Sequence, residues 1–247
     1  MRFERSIGVP AFEAEELSPR KTKYCLCIPI INENGRIQTE LERGGSTDGC
    51  TNIPELRRLG VNALLTKRDV GQQGAQLRMA FWWCLRRGYE GIITVDGNNK
   101  DSIESVPLFI EKLDEGYDFV QGSRFLKGGS AVNTPISRYL AVRCIHAPLI
   151  SMSARHRFTD TTNAFRAHSK RYLEDPRVLP FRDNFLSYEL LAYLSVRGAQ
   201  IGLRVCEVPV SRIYPERDAV PTKISPFRGN QELLRILAKT IIGGYKP

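Results

Sequence analysis

The stretch "GIITVDGNNKDS", residues 91–102, ends an apolar run at Asp96 and continues with polar or small residues. Asp96 and Asn98 stand two positions apart, and carboxylate and amide oxygens are ligands that hard divalent cations prefer. The same residue types are common in simple turns, since Gly, Asn and Asp suit turn geometry. The stretch therefore indicates either an ordinary turn after a strand or the rim of a site that holds a charged group.

Other candidates for chemistry also follow apolar runs. Ser123 and Arg124 follow "DFVQG", and Asn32 and Glu33 follow the run that ends near Pro29. A guanidinium group binds phosphate through paired hydrogen bonds. Four further basic residues lie in loop or helix-start segments and could add positive charge: Arg138, Arg166, Arg212 and Lys223.

The composition fits a globular protein with an anionic partner. The chain has 247 residues and a net charge of +9, from 36 Lys and Arg against 27 Asp and Glu. Such an excess favours nucleic acid, an acidic membrane surface or a phosphorylated small molecule. No zinc-finger spacing, RNP-like aromatic block or basic recognition helix supports nucleic acid. No apolar stretch approaches the ~18 residues of a membrane span, so we expect at most peripheral membrane contact.

The six cysteines are Cys25, Cys27, Cys50, Cys84, Cys144 and Cys206, and none forms a CxxC pair. This spacing does not predict a structural zinc site. Two of the six lie in an apolar, strand-like run. We therefore predict free thiols in a reducing compartment.

Strand and helix patterns alternate along the first half of the chain. The pattern predicts strands in "KYCLCIPI", "VNALLT", "GIITV" and "DFVQGS", with helices between them, and a later strand in "GLRVCEVPV". Alternation of this kind predicts an α/β fold, a mostly parallel sheet with helices on both faces. Ligands of such sheets bind beyond the carboxyl ends of the strands. We predict a loosely ordered arm at 1–23, one domain at 24–226 and an amphipathic C-terminal helix at 227–247.

Six short blocks occur in one order: "IPIINEN", "GGSTDG", "TVDGNN", "GSRF", "TDTTNAFR" and "EVPV". Together they resemble family 2 glycosyltransferases of the GT-A fold, in the branch of dolichol-phosphate mannose synthase. The resemblance covers about residues 24–226. It implies a Rossmann-like GT-A domain that moves a sugar, with inversion, from a UDP- or GDP-linked donor to a polyprenyl phosphate at the cytoplasmic face of a membrane.

The resemblance also implies roles for the donor-side residues. Pro29, Asn32 and Glu33 would contact the donor nucleoside, and Asp96 and Asn98 would hold Mg²⁺ or Mn²⁺ at the position of the family's D-x-D motif. The amide of Asn98 carries no charge, so the metal would be weakly bound. Lys100 would repel a cation or partly replace it, and Asp101 would compensate. The hydrophobic strand that precedes "GGSTDG" in the family is absent, and Arg43 stands where its aspartate would be.

The acceptor side has two interpretations. Arg124 and Arg138 match arginines that hold the acceptor phosphate, with Ser123, Arg166, Arg212 and Lys223 adding to the same site. A phosphate is largely ionised at pH 7 and needs no base, whereas a saccharide hydroxyl would need Asp160 as a general base. A nucleotide-sugar-binding module with impaired catalysis is a further alternative. The segment 135–154 is a basic amphipathic helix, with Pro148 as a kink, that suits either a membrane interface or the core.

Overall fold

The computed structural model describes residues 1–30, 53–215 and 228–247, with side chains omitted for 228–230. Asn32, Glu33 and Lys223, for which contacts were predicted, lie outside these ranges, and so does Arg43. The described strands are β1 (Arg2–Phe3), β2 (Phe12–Glu16), β3 (Tyr24–Cys27), β4 (Ala63–Lys67), β5 (Gly91–Thr94), β6 (Phe119–Ser123), β7 (Ser130–Val132), β8 (Arg166–Ser169), β9 (Val205–Pro209) and β10 (Ser211–Ile213). The described α-helices are α1 (Ile53–Arg58), α2 (Gln73–Arg86), α3 (Val106–Asp114), α4 (Ile136–Leu140), α5 (Ala147–Ala154), α6 (Lys170–Glu174), α7 (Glu189–Gln200) and α8 (Arg228–Ile241).

A five-stranded sheet in the order β3-β5-β8-β6-β9 forms the centre of the molecule. β3 pairs with β5 in parallel and β6 with β9 in parallel, while β8 runs antiparallel to both of its neighbours. Four of the five strands therefore share one direction, although two of the four strand pairs are antiparallel. The predicted α/β architecture, a central sheet with helices, is confirmed. The reversed strand β8 was not predicted from the sequence.

Successive residues of the strands face two separate cores. Ile92 and Phe119 pack with residues of α2 and α7, whereas their neighbours Ile93 and Val120 pack with Phe109 of α3. Because side chains alternate along a strand, apolar residues at adjacent positions need helices on both faces of the sheet. The fully apolar run "GIITV" reflects this double burial.

The expectation of a loosely ordered arm at 1–23 is wrong. β1 and β2 form an antiparallel sheet with β4, and Phe12 and Ala14 are buried, with relative exposures of 1% and 3%. The acidic residues that alternate with them are less buried. The charged residues of "FEAEE" therefore hide an alternation of buried and more exposed positions with a period of two. β4 was predicted as a strand of the parallel sheet, but it pairs with β2 instead. β3 is an edge strand of the five-stranded sheet within the described residues.

The predicted long helix at 135–154 forms as α4, a π-helical segment at Ala141–His146, and α5. Pro148 has no N–H group, and its ring crowds the carbonyl four residues earlier, so the helix widens just before it. The two faces of the helix differ. Ala147, Ile150 and Ala154 are buried, whereas Ile136 and Met152 are 77% and 65% exposed. The helix thus packs on the core and also presents apolar groups outward.

Candidate active site

The candidate site lies at one edge of the five-stranded sheet. Asp96 follows β5, Arg124 follows β6, and Arg212 lies just past β9, because these three parallel strands end at the same edge. The reversed strand β8 begins at that edge, where its first residue, Arg166, pairs with Thr94 and Gln121. The loop that leads into β8 therefore brings Asp160 to the same side.

The first group of charged and polar residues is here called the rim cluster. It consists of Asp96, Asn98, Lys100, Asp101, Arg212 and Tyr214. The backbone of the 96–102 loop is held against β10, since Ile213 N donates to Lys100 O (2.8 Å) and Ser102 N donates to Ser211 O (3.0 Å). The Ser102 hydroxyl also accepts a hydrogen bond from Ser211 N (3.0 Å). The stretch of residues 93–102 is therefore the rim of a charged site rather than an isolated turn.

Arg212 joins the two carboxylates of the rim cluster. Its Nη1 donates to Asp101 Oδ2, and its Nη2 lies 3.2 Å from Asp96 Oδ2. Burial opposes the charge of Arg212, but the charges of Asp101 and Asp96 outweigh it and raise the pKa. Burial also raises the pKa of Asp101, while Arg212 works against that shift. Asp96 differs from Asp101 because its side chain is 25% exposed and can reach a ligand.

Several polar groups beside Asp96 are weakly satisfied. Gln73 Nε2 lies 3.4 Å from Asp96 Oδ1, and Asn98 Nδ2 lies 3.3 Å from Asp96 Oδ2. Asn98 Oδ1 and Asp101 Oδ1 are buried without a hydrogen-bond partner among the described residues. Unpaired buried oxygens are costly in a folded protein, so these two oxygens are candidates for contact with a ligand. Asp96, Gln73 and Pro29 also line one small cleft.

Tyr214 lies at the centre of the cations and was not identified from the sequence. The Nζ of Lys100 and the guanidinium carbons of Arg138 and Arg212 lie 5.1, 5.7 and 5.8 Å from its ring centroid. Arg138 Nη1 also donates to the Tyr214 hydroxyl (3.0 Å). Burial raises the pKa of Tyr214. The charge of Arg212 and the contact with Arg138 have a larger, opposite effect, so the pKa is lowered overall. Burial lowers the pKa of Lys100, and the nearby charge of Arg212 lowers it as well.

The second group, here called the loop anchor, consists of Ser123, Arg124, Asp160, Thr162 and Arg166. Arg124 donates to Asp160 through Nε (2.6 Å) and Nη2 (3.0 Å), and its Nη2 also donates to Thr162 Oγ1 (2.9 Å). The side chains of Arg124 and Asp160 are 2% and 0% exposed. Burial raises the pKa of Asp160, but hydrogen bonds from Arg124 reverse that shift and lower it.

The remaining residues of the loop anchor also bond inward. Arg166 donates to the carbonyl oxygens of Asn163, Leu191 and Thr161 at 2.7–3.0 Å. Ser123 Oγ lies 2.6 Å from Thr159 Oγ1 and accepts from Phe125 N (3.1 Å). In this arrangement Ser123, Arg124 and Arg166 hold the loop before β8. The carboxylate of Asp160 is paired with Arg124 in this arrangement, rather than placed as a free base.

The structure thus divides the predicted site residues. Pro29, Asp96, Asn98, Arg138 and Arg212 lie around the cleft and the rim cluster, while Ser123, Arg124, Asp160 and Arg166 form the loop anchor. Glu207 supports the anchor, since its carboxylate accepts from Thr159 N (2.9 Å) and Asp160 N (3.0 Å). Its sequence signal was its place in "EVPV", just before the strand end.

Comparison with known proteins gives relatives of one kind. A dolichyl-phosphate hexose transferase of Haloferax volcanii is 31% identical over 152 residues, 61% of each chain. A polyprenol monophosphomannose synthase of Mycolicibacterium smegmatis is 26% identical over 166 residues, 66% of this chain and 60% of that one. An undecaprenyl-phosphate mannosyltransferase of Micrococcus luteus is 29% identical over 161 residues, 65% of this chain and 63% of that one.

The chain is similar in sequence to glycosyltransferases that act on polyprenyl phosphates. The resemblance inferred from the six sequence blocks is therefore confirmed. The matched regions span about 60% of the length of these glycosyltransferases. No protein-family model matches the chain. None of the helices that the structure describes is long and apolar enough to cross a membrane.

Proposed function

We propose that the chain is a GT-A glycosyltransferase that transfers a sugar, with inversion, from a nucleotide-sugar to a polyprenyl phosphate. The observation that supports this best is the rim cluster, where one accessible carboxylate, Asp96, lies beside the cations Lys100, Arg138 and Arg212. A reaction between two phosphorylated substrates needs such cations, because charge must be neutralised on both the leaving diphosphate and the acceptor. The names of the relatives supply the acceptor class.

The proposed chemistry is a single displacement. An oxygen of the acceptor phosphate forms a bond to the anomeric carbon of the sugar, and the bond from that carbon to the diphosphate breaks. The nucleoside diphosphate leaves with the electron pair. A phosphate monoester has its second pKa near 6, so its oxygen is already ionised at neutral pH and no proton has to be removed. Positioning therefore contributes more than base catalysis, in agreement with an Asp160 that is bonded to Arg124.

Arg138 and Arg212 are the acceptor-side cations that the geometry favours. Arg138 is half-buried and bonded only to the Tyr214 hydroxyl among the contacts described, so its guanidinium keeps donors for a ligand. Tyr214 orients both arginines through its ring and hydroxyl. Arg212 also lies between Asp96 and Asp101. We expect it to lie between the donor and acceptor phosphates when both substrates are bound.

The rim cluster fits a weakly held Mg²⁺ or Mn²⁺. Asp96 supplies one carboxylate, and the Oδ1 of Asn98 is buried and has no partner in the described part of the chain. When bound, such an ion would neutralise charge on the donor diphosphate. Arg212 already occupies one oxygen of Asp96, so we expect the donor itself to supply most of the ligands.

Replacing Asn98 with Asp tests this assignment, because a second carboxylate adds charge and removes the amide that faces Asp96. We expect Asn98→Asp to bind Mn²⁺ at least several-fold more tightly, measured by titration calorimetry with nucleoside diphosphate present. Asn99→Asp, one residue further along the same loop, is the matched control. Equal Mn²⁺ affinities for the wild type and Asn98→Asp would remove Asn98 from the metal site.

The outward face of the α4–α5 helix supports contact with a membrane surface. Ile136, Leu140, Ile145 and Met152 are between 47% and 77% exposed, and Arg143 lies among them. Apolar side chains flanked by basic residues bind lipid interfaces that carry anionic headgroups. This face adjoins Arg138, so a lipid held there would present its phosphate to the rim cluster. We propose peripheral binding at the cytoplasmic face.

The deciding experiment is a transfer assay with labelled UDP- and GDP-sugars and polyprenyl phosphate in anionic vesicles. We expect a lipid-linked sugar from one donor, with no product from Asp96→Ala. Transfer to soluble saccharides, with none to the lipid, would contradict the proposed acceptor. Donor binding without any turnover would favour a nucleotide-sugar-binding module, the alternative that Asn98 and Lys100 suggest.

A further inference from the structure

Three cysteine thiols meet between the edge strand β3 and helix α2, away from the rim cluster. Cys25 and Cys27 are two residues apart on β3 and so point to the same face, and Cys84 lies near the end of α2. The Sγ atoms of Cys25 and Cys27 are 3.9 Å apart, and those of Cys27 and Cys84 are 3.7 Å apart. All three sulfur atoms lie within 4.8 Å of one another. Cysteine spacing could not predict this cluster, because Cys84 lies 57 positions after Cys27.

These separations match those of a metal–thiolate site. A metal–sulfur bond of about 2.3 Å places sulfur atoms about 3.8 Å apart in a tetrahedral site and about 4.0 Å apart in a trigonal one. The two measured distances already lie close to these values. The third distance, between Cys25 and Cys84, is at most 4.8 Å, so it needs to shorten by at most about 1 Å for the cluster to hold an ion. No disulfide joins these residues, and all three are free thiols.

The surroundings of the cluster favour a soft ion. Thiolate ligands select Zn²⁺, Cu⁺ and similar ions over Mg²⁺ or Ca²⁺. Cys25 is partly exposed, which gives an ion a path of entry, whereas Cys84 is buried.

We propose that Cys25, Cys27 and Cys84 form a binding site for one thiophilic metal ion of the Zn²⁺ or Cu⁺ type. Each metal–sulfur bond replaces a sulfur–hydrogen bond, and the displaced proton passes to the solvent. No change of oxidation state is involved. This site is separate from the Mg²⁺ or Mn²⁺ site proposed at Asp96, and it does not depend on the proposed function.

Such an ion would connect the two elements that carry the donor side of the site. β3 runs on to Pro29, and the carbonyl oxygen of Ile30 accepts from Gln76 Nε2 on α2 (2.9 Å). The first residue of α2, Gln73, reaches Asp96. Because an ion that binds only the folded chain stabilises it, we expect metal binding to raise the melting temperature.

The test is a titration of the reduced protein with Cd²⁺, followed by competition with Zn²⁺. We expect one Cd²⁺ per chain, with ultraviolet thiolate-to-metal charge-transfer absorption and a higher melting temperature. Cys27→Ser and Cys84→Ser should each weaken binding by roughly a hundredfold, since each removes one of three metal–sulfur bonds. The matched controls Cys144→Ser and Cys206→Ser should bind as the wild type does.

Two results would overturn the proposal. One is the absence of charge-transfer absorption in the wild type, which would mean that the thiols act only as small apolar side chains. The other is unchanged Cd²⁺ affinity in Cys27→Ser and Cys84→Ser. If either variant fails to fold, alkylation of wild-type Cys25 decides the question. Cd²⁺ should slow that reaction while exposed Cys144 reacts as before, and equal rates for Cys25 with and without Cd²⁺ would contradict the site.

Discussion

The rim cluster and the loop anchor lie at the same edge of the sheet but differ in how completely their polar atoms are satisfied. In the loop anchor, Arg124 and Asp160 are buried and make paired hydrogen bonds to each other. In the rim cluster, Asp96 is partly exposed, and Asn98 Oδ1 has no partner among the described residues. A closed network fixes a loop, whereas an open one can exchange its contacts for a ligand. The difference separates residues that position the site from residues that act in it.

The largest expected effect is a loss of stability when the hydrogen-bond network of the loop anchor is broken. Asp160→Asn leaves the buried guanidinium of Arg124 without its counter-charge, so the free energy of unfolding should fall by about 3–5 kcal/mol. Asp114→Asn is the control, because its pair with Lys23 is about half exposed on both sides and such pairs contribute about 0–1 kcal/mol. Urea denaturation measures both. A stable but inactive Asp160→Asn protein would instead support Asp160 as a general base.

Asp96→Ala tests the opposite property of the rim cluster. Arg212 keeps its bond to Asp101, so we expect little change in melting temperature. Loss of the partly exposed carboxylate of the rim cluster should lower turnover by at least about a hundredfold, the usual scale for one electrostatic contact in a transition state. The readout is sugar transfer at saturating donor, with Asp114→Ala as the control. Near-normal transfer by Asp96→Ala would exclude the rim cluster as the active site.

Arg138→Ala should weaken acceptor use with little loss of stability. A hydrogen bond to a charged group contributes about 1.5–3 kcal/mol, so the KM for polyprenyl phosphate should rise by roughly ten- to a hundredfold. Arg138→Lys should recover part of this, because an ammonium keeps the charge but not the paired donors. Arg155→Ala, at the far end of the same helix, serves as the control. An unchanged KM would remove Arg138 from the acceptor site.

Acid should destabilise the fold on the loop-anchor side of the site, where β8 continues from the loop anchor to His168. This imidazole is fully buried among Phe81, Phe119 and Tyr172, and burial lowers its pKa to about 3. Between that value and about 6.5, the unfolded chain binds a proton that the folded chain does not. The free energy of unfolding therefore falls with falling pH, by up to about 1.4 kcal/mol per pH unit.

His168→Phe should remove the part of that dependence that His168 causes, since phenylalanine fits an aromatic surrounding and cannot be protonated. A smaller dependence should remain from His146, because burial lowers the pKa of that imidazole to about 4. Urea denaturation between pH 7 and pH 4 should show a shallower loss of stability in this variant. The control is His156→Phe, which changes a half-buried histidine outside the sheet. Parallel pH profiles for the wild type and His168→Phe would show that His168 is not the source of acid sensitivity.

Sequence reasoning predicted the parts of the molecule that local patterns determine. The strands at Tyr24–Cys27, Gly91–Thr94 and Phe119–Ser123 were predicted because their sequences are rich in apolar residues. Every residue of Gly91–Thr94 and Phe119–Ser123 is buried. β8 was missed because "RAHS" is short and polar. Its buried arginine and histidine are compatible with a central strand only because carbonyl groups and aromatic rings from distant elements surround them.

The candidate site was predicted in outline for the same reason. Asp96 and Arg124 follow recognisable strands, so their place at the sheet edge could be predicted. That Arg124 bonds to Asp160, and that Tyr214 gathers three cations, depends on contacts between loops far apart in sequence. The order of the blocks identifies the family, but only the contacts separate an anchoring arginine from one that is available to a ligand.

The reversed strand has a consequence for how the chain folds. β8 lies between β5 and β6, although both precede it by more than 40 residues, so the central sheet cannot assemble in chain order. During synthesis β3, β5 and β6 would emerge with an open gap where β8 must insert, and their apolar faces would stay partly exposed until about residue 170 has left the ribosome. Pairings at such separation slow folding and expose strand edges to aggregation. We therefore expect chaperone dependence to fall sharply once β8 is in place.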